Sequence, residues 1–339
     1  MVFDVGLQSR CTVMKPSKQY VNIPNSTNTN GFVCFFSGWS SEFKQIASFV
    51  KIEHTLFSLP FVLIGYLIAY DQFQSELTGT GYGWLRFDLL WILVAAIGAR
   101  GLAMTLNRII DQDIDAANPR TAQRHLANGT MSISTAWWLA ALFLIMLLVG
   151  AGMLNMVALA MSWLPVLTFV IYPYMKRFTW LCHLWLGLCL GLAPAGAWVA
   201  IAADVHGFDA ILGTSDGFLW YPSIFYISLG VVLWIAAFDL NYARMDVESD
   251  REMGVHSFPA RFGDSVTTRT SIQMTLLWFA CFAISDPMSE AWFLLSAGIM
   301  AILNIAVILK HKSLADFQTT LFRISMLTGW VLLASILTL

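Results

Sequence analysis

The chain has 339 residues, of which 58% are hydrophobic and only 12% charged, with a formal net charge of −2. Soluble domains carry about 25% charged residues, so a cytosolic enzyme, a disulfide-rich secreted domain and a disordered chain are excluded. What remains is a polytopic membrane protein, and no concentrated basic surface points to nucleic acid as a partner.

Residues 1–40 are polar, with Lys15-Pro16-Ser17-Lys18 and an Asn/Ser/Thr run at 25–30, and no apolar run opens the chain as a signal peptide would. Residues 1–44 are therefore expected to form a mobile cytoplasmic extension, ahead of a transmembrane domain at 45–339. A hydrocarbon core about 30 Å thick needs about 20 apolar residues per helix. Stretches near 46–70, 87–107, 134–153, 155–174, 180–203, 218–238, 267–285, 290–309 and 320–338 meet that length. The expected fold is an all-α bundle of about nine transmembrane helices around a central cavity open to the cytoplasmic side. The third and fourth spans are separated only by Leu154-Asn155.

Basic residues follow the even-numbered spans: Arg108, Arg120 and Arg124; Lys176 and Arg177; Arg244, Arg251, Arg261 and Arg269; Lys310 and Lys312. Segments after the odd-numbered spans hold almost none beyond Arg86, while Arg10, Lys15, Lys18, Lys44 and Lys51 precede the first. With an odd number of spans, this asymmetry predicts a cytoplasmic N-terminus and an outside C-terminus. The sequons at Asn25 and Asn128 then fall on the cytoplasmic side and are read as chance matches. Five cysteines, odd in number and without a CxxC pair, are read as small buried side chains.

The second span runs into Asn107, Asp111 and Asp115, spaced i, i+4, i+8 on one helical face, with Arg100 seven residues earlier. The sixth runs into Asp239, Asp246 and Asp250, spaced i, i+7, i+11, with Tyr242 beside them. Stacked carboxylates repel unless a cation neutralises them. An oxygen-only ligand set suits Mg²⁺, which bridges carboxylates to phosphates. Two acidic faces across a cavity would hold Mg²⁺ and a diphosphate between them. Arg120-Thr121 and Arg124 follow the first set, and Tyr172 and Lys176 are i, i+4 at the end of the fourth span. Such bases hold phosphate oxygens.

At these residues the chain resembles the UbiA-type membrane prenyltransferases. The family pattern is NxxxDxxxD on the second helix, Arg-Thr and Arg-x-Leu in the next loop, YxxxK on the fourth helix and DxxxD after the sixth. Here these are Asn107/Asp111/Asp115, Arg120-Thr121 with Arg124-His125-Leu126, Tyr172/Lys176 and Asp246/Asp250. The pattern departs at Arg108, where the family commonly has Asp, and at His125, where it has Pro. The segments around Lys51–Phe57, Asn118–Thr121 and Gly254–Gly263 look like those of 4-hydroxybenzoate polyprenyltransferases.

The resemblance implies a Mg²⁺-dependent transfer of a prenyl chain from a polyprenyl diphosphate to a hydroxylated aromatic acid in ubiquinone or menaquinone biosynthesis. Asp111, Asp115, Asp246 and Asp250 would hold the Mg²⁺, and Lys176 would stabilise the leaving diphosphate. Arg100, Asn107, Arg120, Arg124, Tyr172, Asp239, Tyr242 and His54 would bind substrates, Arg100 as anchor for the acceptor carboxylate. His256 and Arg261 would help cover the site. The implied setting is a bacterial-type inner membrane or an organelle inner membrane, with no obligate protein partner. Alternatives are a dihydroxynaphthoate acceptor, a family member whose acceptor is not an aromatic acid, such as protohaem or a glycerol phosphate, and, outside the class, a secondary transporter with charges at mid-membrane. The aspartate motif of the CDP-alcohol phosphatidyltransferases is absent.

Overall fold

The computed structural model describes residues 41–51, 55–78, 87–212, 222–287 and 291–337, and all regular structure among them is helical. Helix α1 (Ser41–Phe49) is amphipathic, with Glu42, Lys44 and Ser48 exposed and Ala47 and Phe49 buried. Lys51, at φ 52°, ends it in the left-handed region. The first span therefore begins not at 46 but at Thr55, as α2 (Thr55–Thr78). The apolar residues at 46–49 belong to α1, and Phe49 and the following Val50 pack with Leu102, Leu106 and Leu139. Hydrophobicity alone does not separate a short surface helix from the span that follows it.

The remaining helices are α3 (Asp88–Ile110), α4 (Gln112–Ala117), α5 (Ile133–Leu154), α6 (Met156–Met161), α7 (Trp163–Phe178), α8 (Cys182–His206) and α9 (Asp209–Leu212). Then come α10 (Pro222–Tyr242), a 3-10 turn (Ala243–Asp246), α11 (Val247–Met253), α12 (Phe258–Ser285), α13 (Ala291–Leu309) and α14 (Phe317–Leu337). Counting α6 with α7, eight of the described helices are long and apolar enough to cross a membrane. The expected seventh span lies in α12, a ninth long helix, whose first half carries Arg261, Asp264 and Arg269 and is too polar to meet that measure.

The weak break at Leu154-Asn155 is a single extended residue. Asn155 (φ −164°, ψ 170°) accepts from Ala158 N at 2.8 Å, capping α6, and donates Nδ2 to Ala200 O and Asp204 Oδ1. A second break, at Ser162 between α6 and α7, had no counterpart in the hydrophobic pattern. In α12, Gly263 takes φ 79° and ψ 173°, a conformation closed to other residues, and kinks the helix one turn in.

The α8 helix is the most buried span and packs between α2 and α10, while α3 lies along α5 and α10 along α12. Gly187 of α8 faces the Val232 backbone of α10 so closely that a β-carbon there would overlap it. Trp198, Trp234 and Trp278 fill the core, Trp234 stacked on Phe57 at 4.7 Å and Trp198 Nε1 donating to Gln72 Oε1 at 3.0 Å. At the basic end, Arg244 pairs with Asp264, which also receives His311 Nε2 at 2.9 Å and Lys312 Nζ at 2.8 Å, joining α12 to α13 beside the end of α10.

Candidate active site

Helix α3 stops at Ile110 because Asp111 leaves helical geometry (φ −96°, ψ 9°) before the chain resumes as α4. Arg177, at the end of α7, donates Nη2 to the Ile110 carbonyl at 2.7 Å, satisfying one acceptor that the helix end leaves open. Its neighbour Lys176 pairs with Asp111 Oδ2. The Asp111 side chain is fully buried, and its Oδ1 accepts no hydrogen bond, Arg177 Nη2 lying 3.9 Å away. Burial pushes the Asp111 carboxyl up from its ordinary value, with Lys176 opposing.

One turn on, buried Asp115 receives Arg124 Nη1 on both oxygens at 2.7 and 2.8 Å. The loop between them reaches across to the second acidic set. Asn118 Nδ2 donates to Asp246 Oδ1 at 2.9 Å, while Arg120 grips Asp246 bidentately, Nε to Oδ1 at 2.7 Å and Nη2 to Oδ2 at 2.5 Å. The Arg120 guanidinium lies 5.2 Å over the Tyr242 ring, whose hydroxyl accepts from Gln318 Nε2 at 2.8 Å. Asp250 is buried one turn beyond Asp246 on α11. Segments more than a hundred residues apart thus form one charged cluster.

Asp239 lies on α10, ahead of the turn that carries Asp246. A 3-10 turn at Ala243–Asp246 separates it from Asp246 and Asp250, and Asp239 Oδ2 meets His183 Nδ1 at 2.7 Å. His183 Nε2 accepts the Phe258 amide at 3.0 Å, so Nδ1 carries the proton donated to Asp239. His183 thereby ties α8, α10 and the start of α12. His256 N donates to Lys176 O at 2.8 Å, which fastens the segment after α11 onto α7; Arg261 is exposed. Glu53 and His54 lie outside the described residues.

Beneath the cluster is an apolar cavity of about 290 Å³ between α2, α3, α5, α7 and α8, walled by residues such as Ala99, Ala103, Phe169 and Leu190. Arg100, Asn107 and Tyr172 line its polar end, one turn or more below Asp111 and Lys176. Three residues of this region were missed from sequence. Asn118 had one signal, its place before Pro119, which keeps it extended (φ −85°, ψ 120°). His183 had only its rank as an ionisable group in an apolar helix. Arg108 is buried, its Cζ 5.4 Å from the Phe49 ring centroid, so this departure from the family pattern serves the contact with α1.

Among the described residues no three acids, histidines or cysteines converge as a ready cation site, and each of Asp111, Asp115 and Asp246 is engaged by a base. The donor set nevertheless fits a hard cation: the groups are all carboxylate oxygens, and buried Asp111 Oδ1 has no donor.

These features define an integral, multi-pass, all-helical membrane protein with a carboxylate–base cluster over an apolar cavity. Residues 58–334 match the UbiA prenyltransferase family, and the chain belongs to that family. It is 32% identical over 223 residues to 4-hydroxybenzoate geranyltransferase 2 of Lithospermum erythrorhizon, a match covering 65% of this chain and 64% of that one. The chain thus spans just under two thirds of that curated relative. Among solved structures, the apo UbiA homologue from Aeropyrum pernix K1 superposes with a TM-score of 0.69 at 30% identity, covering 84% of this chain and 98% of that one. A UbiA homologue from Archaeoglobus fulgidus, solved with GPP and Mg²⁺, shares the fold at a TM-score of 0.56 and 16% identity, over 87% of this chain and 100% of that one.

Proposed function

We propose that the protein transfers a prenyl group from a polyprenyl diphosphate to a ring carbon of a hydroxylated aromatic acid of the 4-hydroxybenzoate type, in respiratory quinone biosynthesis. The observation that carries this is the Arg120–Asp246 bridge with Asn118, which gathers two acidic segments over one apolar cavity. A donor with a charged head and an apolar tail matches that division. The name of the Lithospermum relative supports the acceptor, and the GPP- and Mg²⁺-bound Archaeoglobus homologue supports the donor. A transporter would carry its charges at mid-span, whereas here they gather at one end.

Asp111, Asp115, Asp246 and Asp250 would hold Mg²⁺, which supplies charge neutralisation for the departing diphosphate. Lys176, Arg120 and Arg124 exchange their carboxylates for phosphate oxygens when the donor arrives. Arg100 anchors the acceptor carboxylate with its fork of donors, and Asn107 and Tyr172 flank the ring. Asp239 and Tyr242 act from the rim. The apolar walls keep water from the allylic cation, so the acceptor ring captures it and then loses a proton. The distribution of Lys and Arg supports a site on the cytoplasmic side.

The test is purified protein with a labelled polyprenyl diphosphate, given 4-hydroxybenzoate and a dihydroxynaphthoate in parallel. Labelled product with 4-hydroxybenzoate, lost on chelation and restored by Mg²⁺, is expected. Product with dihydroxynaphthoate alone moves the protein to the menaquinone route. No product with either removes the aromatic-acid reading.

A further inference from the structure

Gly196 lies near the middle of α8, the most buried span, yet it is exposed between buried Ala195 and Ala197. It lines the apolar cavity, and a β-carbon there would meet no atom within 4 Å. The other two α8 glycines that abut a neighbour, Gly187 and Gly191, are explained by the close approach of α10 at Val232 and Ser228. Gly196 has no such contact. Glycine inside a helix costs about 0.5–1 kcal/mol relative to alanine, and no packing at this position offsets that.

Its depth is fixed by the start of α8. Cys182 Sγ lies 3.8 Å from His256 O, and His256 N donates to Lys176 O, so the first turn of α8 is level with Lys176. Gly196 is thirteen residues beyond His183, about 20 Å along the axis at 1.5 Å per residue. An extended isoprene unit adds four main-chain bonds of about 1.5 Å, or roughly 4–5 Å of length. Gly196 therefore stands about four isoprene units from the charged cluster. Beyond it the cavity continues to Ala200 and Ile211.

We infer that Gly196 is a specificity-determining position for the prenyl donor: its missing side chain keeps a passage open for the isoprene units beyond about the fourth. This rests on the cavity being the seat of the prenyl tail. Leucine at 196 would fill that passage without touching the charged cluster.

The experiment compares the full-length protein with Gly196→Ala and Gly196→Leu in lipid nanodiscs, using geranyl and octaprenyl diphosphates with 4-hydroxybenzoate. For Gly196→Leu the octaprenyl-to-geranyl ratio of kcat/KM is expected to fall at least tenfold, while Gly196→Ala keeps it within twofold. The ratio is read within one preparation, so the fraction of folded protein cancels, and Gly196→Val replaces leucine should that variant not fold. An unchanged ratio overturns the assignment, as does an equal loss with both donors. Wild-type protein that transfers from neither donor overturns the prenyl reading, and this inference with it.

Discussion

Asp111, between α3 and α4, and Asp115, in α4, sit buried, each held by a base from elsewhere, Lys176 on α7 and Arg124 past the turn. Asp246 lies in a 3-10 turn after α10 and takes its base, Arg120, from the loop that follows the first acidic set. The two segments read alike in sequence, yet one supplies both acids and the clamp, and the other is what the clamp holds. A motif repeated in a chain need not be a symmetric half-site. Here the loop from Asn118 to Arg124 makes one centre of two segments.

The largest effects test whether the segments form one centre. Asp111→Ala and Asp246→Ala are each expected to lower turnover per folded molecule by at least about 10³-fold, read from product formation. Chelation by EDTA should match that loss, and Mg²⁺ should reverse it. Near-normal turnover in either variant would split the centre in two. Next comes the clamp. Arg120→Ala is expected to cost about 10–100-fold in kcat/KM, and a thermal-melting cycle with Asp246→Asn should give a coupling of about 0.5–3 kcal/mol. Additive effects would mean that the bridge does not join the segments.

Arg100 sharpens the contrast between charged cluster and cavity, because it lines the second while lying on the helix that leads to the first. Arg100→Lys is expected to raise the KM of the aromatic acid about tenfold, worth about 1.4 kcal/mol, and to leave the donor KM within twofold. A shift in the donor term alone would assign Arg100 to the diphosphate.

The smallest effect belongs to Asp264, remote from both acidic segments. Burial is the largest single influence and opposes its charge, but Lys312, Arg244 and His311 together outweigh it and hold the carboxyl below its ordinary value. A depressed carboxylate contributes stability that is full above its unfolded value near 3.9 and is lost as pH falls through the folded one. The group is well exposed, so solvent screens much of the pairing. Asp264→Asn should lower Tm by about 1–3 °C, with a constant difference from wild type between pH 5 and 8. A gap that narrows or widens across that window would give the titration to another group.

Length and hydropathy made the bundle legible, and even the one-residue break at Asn155, because an isolated polar residue between two apolar runs has few other uses. They misplaced the first span because α1 and α2 are both apolar near their junction, and the turn at Lys51 leaves no compositional mark. Spacing made Asp111 and Asp115 legible, since the backbone stays near-helical through the bend at Asp111. It left out the partner of Asp239, since His183 lies 56 residues earlier on another helix. Asn118 and His183 were hidden for the same reason: each acts through a partner far away in the chain, and periodicity carries only local information.

The junction at Asn155 has a consequence for how the protein reaches its membrane. One extended residue reverses the chain between α5 and α6, and its amide group is satisfied by α6 and α8 rather than by water. The turn has no polar loop and no charge, so α5 and the α6–α7 segment are expected to enter the bilayer together, as a single helical hairpin. The two bonds that Asn155 Nδ2 gives to Ala200 and Asp204 can form only once α8 is beside them, so the junction is completed by a later span.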